Sequence, residues 1–399
     1  MLEVITLDDA RKIVSGLECL SGQGVSIGLN DAPGTVTACD IISQTDVPSF
    51  NRSLVDGFAV LSSDTFGCSE SLPAILSLAG EICMGEDVQR TILPGQCMRI
   101  PTGGKLPQGA DCAVMLEYTE EPGDGSICVL RACAPQENIM PAGADVRCND
   151  CLISAGHMLG AKDTAVLAAA GVTQVEVIKK PVVAVISTGD ELVSAGSEPK
   201  GSQVRDINTP MLCACVKECG CEALCMPIVK DEPGELYNAL NSTLGRCDAV
   251  LVSGGSSVGE RDALYSTLEQ LGKVLFHGIA VKPGKPTMLA VAGGKPVFGL
   301  PGHPLAAFFM FKELASPLLC RMARIKEKTE LVTARAVRNI PSNHGREELI
   351  PVTLDSGSFE PLVSKSGAVS VLARAQGYIK IPRGSEGIFK DEEVQVRLF

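Results

Sequence analysis

The spacing of apolar positions changes several times along the chain, and each change marks a different kind of structure. In the opening stretch TLDDARKIVSGLECL, Ile13, Val14 and Leu17 fall on one helical face behind Thr6, with Asp9 three residues on, which predicts a capped helix. From about 35 to 150 the pattern turns to short apolar runs such as AILSLAGEI, QCMRI and CAVMLEY, punctuated by Gly, Pro and Asp, as expected of a small β domain. AKDTAVLAAAGVTQVEVIKKP then predicts an Ala-rich helix ended by Gly171, a strand and a proline boundary. Between 181 and 325 the strand-like runs VVAVIS, AVLVS and PVFGL alternate with helical TPMLCACVKEC and PLAAFFMFKELASPLL, the signature of a parallel sheet covered by helices, of the doubly wound kind. The tail returns to alternating strands, LVTARAVRNI, EELIPVTL, GYIKIP and EVQVRLF, which predict a small β-barrel or sandwich.

Composition narrows the function classes. With 399 residues, 45% of them hydrophobic and 21% charged, the chain is expected to form two to four soluble domains. The apolar run LAAFFMF is far short of the roughly 20 residues needed to cross a bilayer, and the N-terminus lacks a signal peptide's layout, so a cytoplasmic protein is expected. A net charge of −12, no Trp and 4% aromatics argue against a nucleic-acid or membrane surface, so an anionic ligand must meet a local cluster of cations. The 17 cysteines are odd in number and follow no secretory signal, so a disulfide framework is not expected. Neither Cys148 and Cys151 nor the group Cys213, Cys215, Cys219, Cys221 and Cys225 has a neighbouring His or second C-x-x-C, and buried reduced thiols are the expectation.

Candidate chemistry gathers after the strands of the 181–325 region. VVAVISTGDEL delivers Ser187, Thr188, Gly189, Asp190 and Glu191; VLVSGGSSVGERD delivers Gly254, Gly255, Ser256, Ser257, Gly259, Glu260 and Asp262; VFGLPGHP delivers Pro301, Gly302 and His303. Neither the dinucleotide fingerprint nor the P-loop spacing is present. Ligands of open parallel sheets bind beyond the carboxyl ends of the strands. Glycines there admit a phosphate close to the backbone, hydroxyls donate to it, and the carboxylates call for a hard cation such as Mg²⁺ between. Each loop alone also reads as a tight strand-to-helix turn; together they favour a magnesium-bridged phosphoanion. AVKPGKP adds Lys282 and Lys285 on a stiff loop, and NRSLVDGFAV around Asp56 and RIPTGGKLPQGADCAVMLE around Thr102 and Asp111 are either site loops or hairpin turns.

Taken in order, SLVDGFAV, PTGGKLPQGAD, STGDEL, GGSSVGERD, KPGKP and GLPGHP resemble the motifs of the molybdopterin molybdenumtransferases, the MoeA family related to the C-terminal domain of gephyrin. The resemblance implies an elongated N-terminal α+β core and dimerisation domain at 1–45 and 146–178, and an inserted β domain at 46–145. It also implies a three-layer α/β domain of the molybdopterin-binding type at 179–325 and a C-terminal β-barrel at 326–399. It implies a reaction in which molybdate meets adenylylated molybdopterin in the presence of Mg²⁺ and AMP departs. The site would lie between two subunits of a homodimer. Carried over by motif, it would draw Asp56, Thr102 and Asp145 from the N-terminal half, and Glu191, Asp231 in VKDEP, Asp262, Lys282, Arg346 in GREEL and Ser366 from the C-terminal half. Glu191, Asp231 and Asp262 are the implied metal ligands. A molybdopterin adenylyltransferase and the apo-enzymes that receive the cofactor are the implied protein partners. The chain departs from the family pattern at Met140, Ala144, Gly278 and His303; Met140 and Gly278 stand where cations are usual, a loss for which Arg147 or His303 would compensate. These departures keep open a diverged paralogue that binds adenylylated pterin or inserts tungstate, and a non-catalytic assembly scaffold remains a further alternative.

Overall fold

In a computed structural model, residues 4–18, 22–254, 263–327, 329–342, 345–362 and 369–399 are described. The chain divides into two compact units, one of residues 1–25, 34–36 and 177–399, the other of residues 26–33 and 37–176.

The second unit is built on a six-stranded sheet in the order Cys112–Met115, Gly57–Val60, Gln96–Ile100, Ala74–Glu81, Ser126–Val129, Thr119–Glu120. Its strands alternate between two apolar layers. Phe58, Val60, Leu76, Cys97, Val114 and Ile127 pack on one face, and Ala59, Met98, Ile100 and Ala113 on the other. The Ala-rich helix runs Ala161–Ala169 and stops before Gly171, whose φ of 76° is a left-handed conformation that glycine adopts without strain.

In the first unit the expected α/β architecture is present. A six-stranded sheet runs Glu222–Cys225, Val182–Ser187, Ala249–Ser253, Lys295–Leu300, Met288–Ala292, Gly272–His277, and its first four strands are parallel. Side chains alternate here too. Val183, Val185, Ala249 and Leu251 face the helices Leu7–Ser15, Asn208–Glu218 and Ser316–Met322, while Ala184, Ile186, Val250 and Val252 face Pro233–Leu244 and Ala263–Leu271. Both faces are covered, which is why these strands read as continuous apolar runs. The first helix is capped as predicted, with Asp9 N–H donating to Thr6 Oγ1 at 3.1 Å, but it ends at Ser15.

The expected helix PLAAFFMFKELASPLL is continuous but widens into a π turn over Phe311–Ala315. Pro317 supplies the reason: it has no N–H for the carbonyl of Glu313, and its ring would collide with that carbonyl in a regular α-helix. The tail closes into a barrel in the order Val281–Lys282, Glu347–Asp355, Ser358–Pro361, Leu331–Ala336, Glu393–Leu398, Gly377–Ile381, the last strand pairing back onto Glu347–Asp355. No described helix is long and apolar enough to cross a membrane.

One expectation about cysteine needs correction. Cys213, on the helix Asn208–Glu218, is joined to Cys225, at the end of the neighbouring strand, because helix and strand bring their Cα atoms to 6.7 Å. The other described cysteines are free, and burial pushes the thiols of Cys215 and Cys221 up to about 12, where they remain protonated at neutral pH.

Candidate active site

Parallel register brings three strands of the α/β sheet to the same level. Ser187 lies opposite Ser253, and Ser253 opposite Leu300, so Thr188 and Gly189, Gly254, and Pro301 to His303 emerge together. The turns are closely stitched, with Thr188 N–H donating to Ser253 O at 2.9 Å and Gly254 N–H to Leu300 O at 3.3 Å. Gly254 has φ 97°, and a Cβ there would stand 2.1 Å from Thr188 O, so this turn admits only glycine.

A cavity of about 390 Å³ opens over these turns, with Thr188, Gly189, Glu191, Asp231, Gly254 and Gly302 in its lining. Glu191 and Asp231 are exposed carboxylates. Arg205 is the only cation in the described lining, and its Nε donates to Ser197 O at 3.0 Å. Thr188 Oγ1 is buried and has no hydrogen-bond partner among the described residues. Ser187 braces the site without lining it: its hydroxyl donates to Asp206 Oδ1 at 3.0 Å and meets Thr209 Oγ1 at 2.8 Å.

Sequence reasoning missed Asn208, which also lines this cavity and is 7% exposed. Its Nδ2 donates to Ser253 Oγ at 2.7 Å and to Gly302 O at 2.8 Å. A carbonyl can only accept, so the atom facing Gly302 O must be the amide nitrogen, which fixes the orientation of the side chain. The signal available in the sequence was an Asn at the head of the helix that follows the first site loop.

A second, larger cavity of about 710 Å³ gathers Lys282, Lys285, His303 and Arg346, together with Pro301 and Gly302. Arg338, also missed in the sequence, lines it as well, and its Nη2 donates to Pro361 O at 3.3 Å. Lys282 Nζ is paired with Glu348 Oε1 at 2.9 Å, leaving the lining with more cations than carboxylates. Both ring nitrogens of His303 are buried without a partner among the described residues. Pro283, Pro286, Leu305, Ile340 and Ile350 make much of the wall apolar, which strengthens any charge interaction inside it. Gly302 lines both cavities, so the acidic and the cationic cavity adjoin at one turn.

Asp56, Thr102 and Asp145 belong to the other compact unit. There Thr102 N–H donates to Asp56 Oδ1 at 2.7 Å, so the SLVDGFAV and PTGGKLPQGAD motifs meet. Asp111 instead has a structural task, accepting from Ser62 N–H at 2.6 Å and Ser62 Oγ at 2.7 Å above a short 3-10 turn. Met140 lies across the strand pair from Arg52, whose Nη2 rests 3.2 Å from its sulfur, so a cation stands beside this departure from the family pattern. Ala144 and Arg147 are exposed. Gly278, in the first unit, has φ 106°, a conformation that would strain the basic residue common there. Gly255, Ser256, Ser257, Gly259, Asp262 and Ser366 lie outside the described residues.

Comparison with known proteins agrees with this architecture along the whole chain. The MoeA N-terminal region (domain I and II) matches residues 5–171, a probable molybdopterin binding domain matches 184–321, and the MoeA C-terminal region (domain IV) matches 333–399. The molybdopterin molybdenumtransferase of Bacillus subtilis is 31% identical over 99% of this chain and 94% of its own. That of Haemophilus influenzae is 33% identical over 86% of this chain and 84% of its own. The chain belongs to the MoeA family. Solved structures of Pyrococcus horikoshii MoeA proteins superpose on it with TM-scores of 0.90 at 36% identity, covering 99% of each chain, and 0.79 at 30% identity, covering 100% of each. In this MoeA chain the acidic cavity falls within the molybdopterin-binding match. The cationic cavity is assembled from that match and the C-terminal one, which supplies Arg338 and Arg346.

Proposed function

We propose that the protein is a molybdopterin molybdenumtransferase that takes adenylylated molybdopterin and molybdate, releases AMP, and leaves molybdenum on the pterin dithiolene. The observation that carries this reading is the pair of adjoining cavities. One offers carboxylates, a buried hydroxyl and glycine turns, and the other offers lysines and arginines in an apolar wall; they share Gly302. The first suits a metal-bridged nucleotide phosphate, and the second suits a tetrahedral oxyanion.

The donor set of the first cavity fits Mg²⁺: Glu191 and Asp231 with the hydroxyl of Thr188 are hard oxygen donors, with neither thiolate nor imidazole among them. Asp262 would join them. Mg²⁺ bound there would neutralise charge on the pyrophosphate link. The chain's own residues do the rest. Gly189, Gly254 and Gly302 let a phosphate approach the backbone, and Lys282, Lys285, Arg338 and Arg346 offset the charge of the oxyanion and the departing phosphate. His303, whose ring nitrogens have no partner among the described residues, stands beside the shared turn.

Lys282→Ala tests the cationic cavity. Losing one charge-assisted hydrogen bond is worth about 1.5–3 kcal/mol, and the molybdate concentration giving half-maximal AMP release should rise about tenfold to a hundredfold. An unchanged value would remove Lys282 from the oxyanion site.

The reading includes a homodimer whose sites combine Asp56, Thr102 and Asp145 of one subunit with the strand-end loops of the other. An Asp56→Ala subunit mixed with an Asp262→Ala subunit should therefore regenerate some intact sites. Folded mixtures that recover no activity, or light scattering that finds only monomer, would dispose of the shared site. The substrate would arrive from an adenylyltransferase, and the product would pass to apo-enzymes that use the cofactor.

A further inference from the structure

Asn208 is held more firmly than a helix-leading residue requires. Its amide nitrogen grips two turns that leave adjacent parallel strands, through Ser253 Oγ at 2.7 Å and Gly302 O at 2.8 Å. Ser253 Oγ, having accepted from Asn208, turns its own proton toward Pro301 O at 3.5 Å. Both amide protons are thereby committed, and the amide cannot flip without setting its carbonyl against the carbonyl of Gly302. Asn208 Oδ1 remains, buried and without a donor among the described residues, on a side chain that lines the acidic cavity. A fixed carbonyl oxygen repels phosphate oxygens and carboxylates, and is matched by an N–H or O–H donor or by a hard cation.

We propose that Asn208 is a positioning and specificity-determining residue of this cavity, its amide nitrogen setting the Ser253 and Gly302 turns and its Oδ1 accepting a hydrogen bond from the nucleotide half of the substrate. The proposal rests on the transferase reading, which puts the nucleotide in the acidic cavity. Apart from its phosphate, AMP carries three kinds of donor: the 2′-hydroxyl, the 3′-hydroxyl and the exocyclic 6-amino group. One of them meets Oδ1. Sites built around a buried hydrogen-bonding group reject ligands that lack the matching group, because the protein atom is then left unpaired.

Calorimetric titration in magnesium buffer, with AMP and with its 2′-deoxy, 3′-deoxy and 6-deamino analogues, tests this on the wild type and on Asn208→Leu. The wild type should bind one analogue at least tenfold more weakly than AMP. Asn208→Leu should bind AMP at least tenfold more weakly than the wild type does and should no longer distinguish that analogue. If the leucine variant does not fold by circular dichroism, Asn208→Ser takes its place. Wild-type affinities within twofold across all four ligands would overturn the proposal while leaving the transferase reading intact. So would a variant that keeps the wild-type discrimination, because Asn208 would then only hold the turns. A wild type that binds no AMP at millimolar concentration would overturn the nucleotide reading of the cavity, and the role of Asn208 with it.

Discussion

Glu313→Gln is expected to destabilise the protein by about 3–5 kcal/mol at pH 7, the range for breaking a buried ion pair by removing one partner. Glu313 sits in the π turn with a fully buried side chain, in contact with Arg11 of the N-terminal helix and Tyr378 of the barrel. Lys380 Nζ lies at 2.9 Å and Arg397 Nη1 at 3.6 Å. One carboxylate thus faces three cations drawn from distant parts of the chain, and glutamine would remove the charge they share, although Arg11 keeps Asp8 and Arg397 keeps Glu327 as partners. Burial by itself would push the Glu313 carboxyl up, but Lys380 and Arg11, with hydrogen bonds from Tyr378 and Lys380, outweigh it and hold the group below its ordinary value of 4.5. A depressed folded-state value stabilises the protein above the unfolded value, and that contribution is lost as pH falls through the folded one. The gap between wild type and variant in urea unfolding should therefore be widest near neutrality and shrink as pH falls below the ordinary carboxyl value of 4.5. A gap that is absent at pH 7, or that grows toward acid, would contradict the role given to this carboxylate.

The second large effect is expected when the acidic cavity loses its charge. Glu191→Gln combined with Asp231→Asn keeps the shape of both side chains and removes two carboxylates from one cavity. At about 1.5–3 kcal/mol for each charged contact, magnesium-dependent AMP release should fall at least a hundredfold at millimolar Mg²⁺. Higher Mg²⁺ should recover part of the loss, since the defect is one of affinity. Direct titration with Mn²⁺ as a magnetic probe should show the same weakening without substrate. Undiminished Mn²⁺ binding in the double variant would place the metal elsewhere.

The fold was legible because it is written in local periodicity. Short apolar runs punctuated by Gly, Pro and Asp marked the β strands of the second unit, alternation marked the barrel, and the apolar runs ending at Ser187, Ser253 and Leu300 marked strands buried on both faces. The loops of the candidate site stand out for the same reason, as glycine and hydroxyl residues at strand ends. What escaped notice depends on neighbours distant in sequence. Asn208 acts through partners 45 and 94 residues away, and Glu313 reaches back 302 residues to Arg11. The π turn was hidden because FFMFKELASPLL reads as ordinary helix unless the missing N–H of Pro317 is charged against the carbonyl of Glu313. The Cys213–Cys225 pair was hidden because helix and strand meet only in the folded sheet. The place of Arg52 beside Met140 follows from strand register.

If the two cavities act together on one substrate pair, AMP release and metal retention are coupled. Purified protein should be incubated with adenylylated molybdopterin and Mg²⁺, with molybdate, with tungstate, and with neither oxyanion, and released AMP and retained metal measured in the same samples. AMP release should require an oxyanion, with one metal retained for each AMP released, and molybdate or tungstate is identified by which of them supports turnover at the lower concentration. Binding of the adenylylated pterin with no AMP release under either oxyanion, or AMP release with no metal retained, would contradict that joint action.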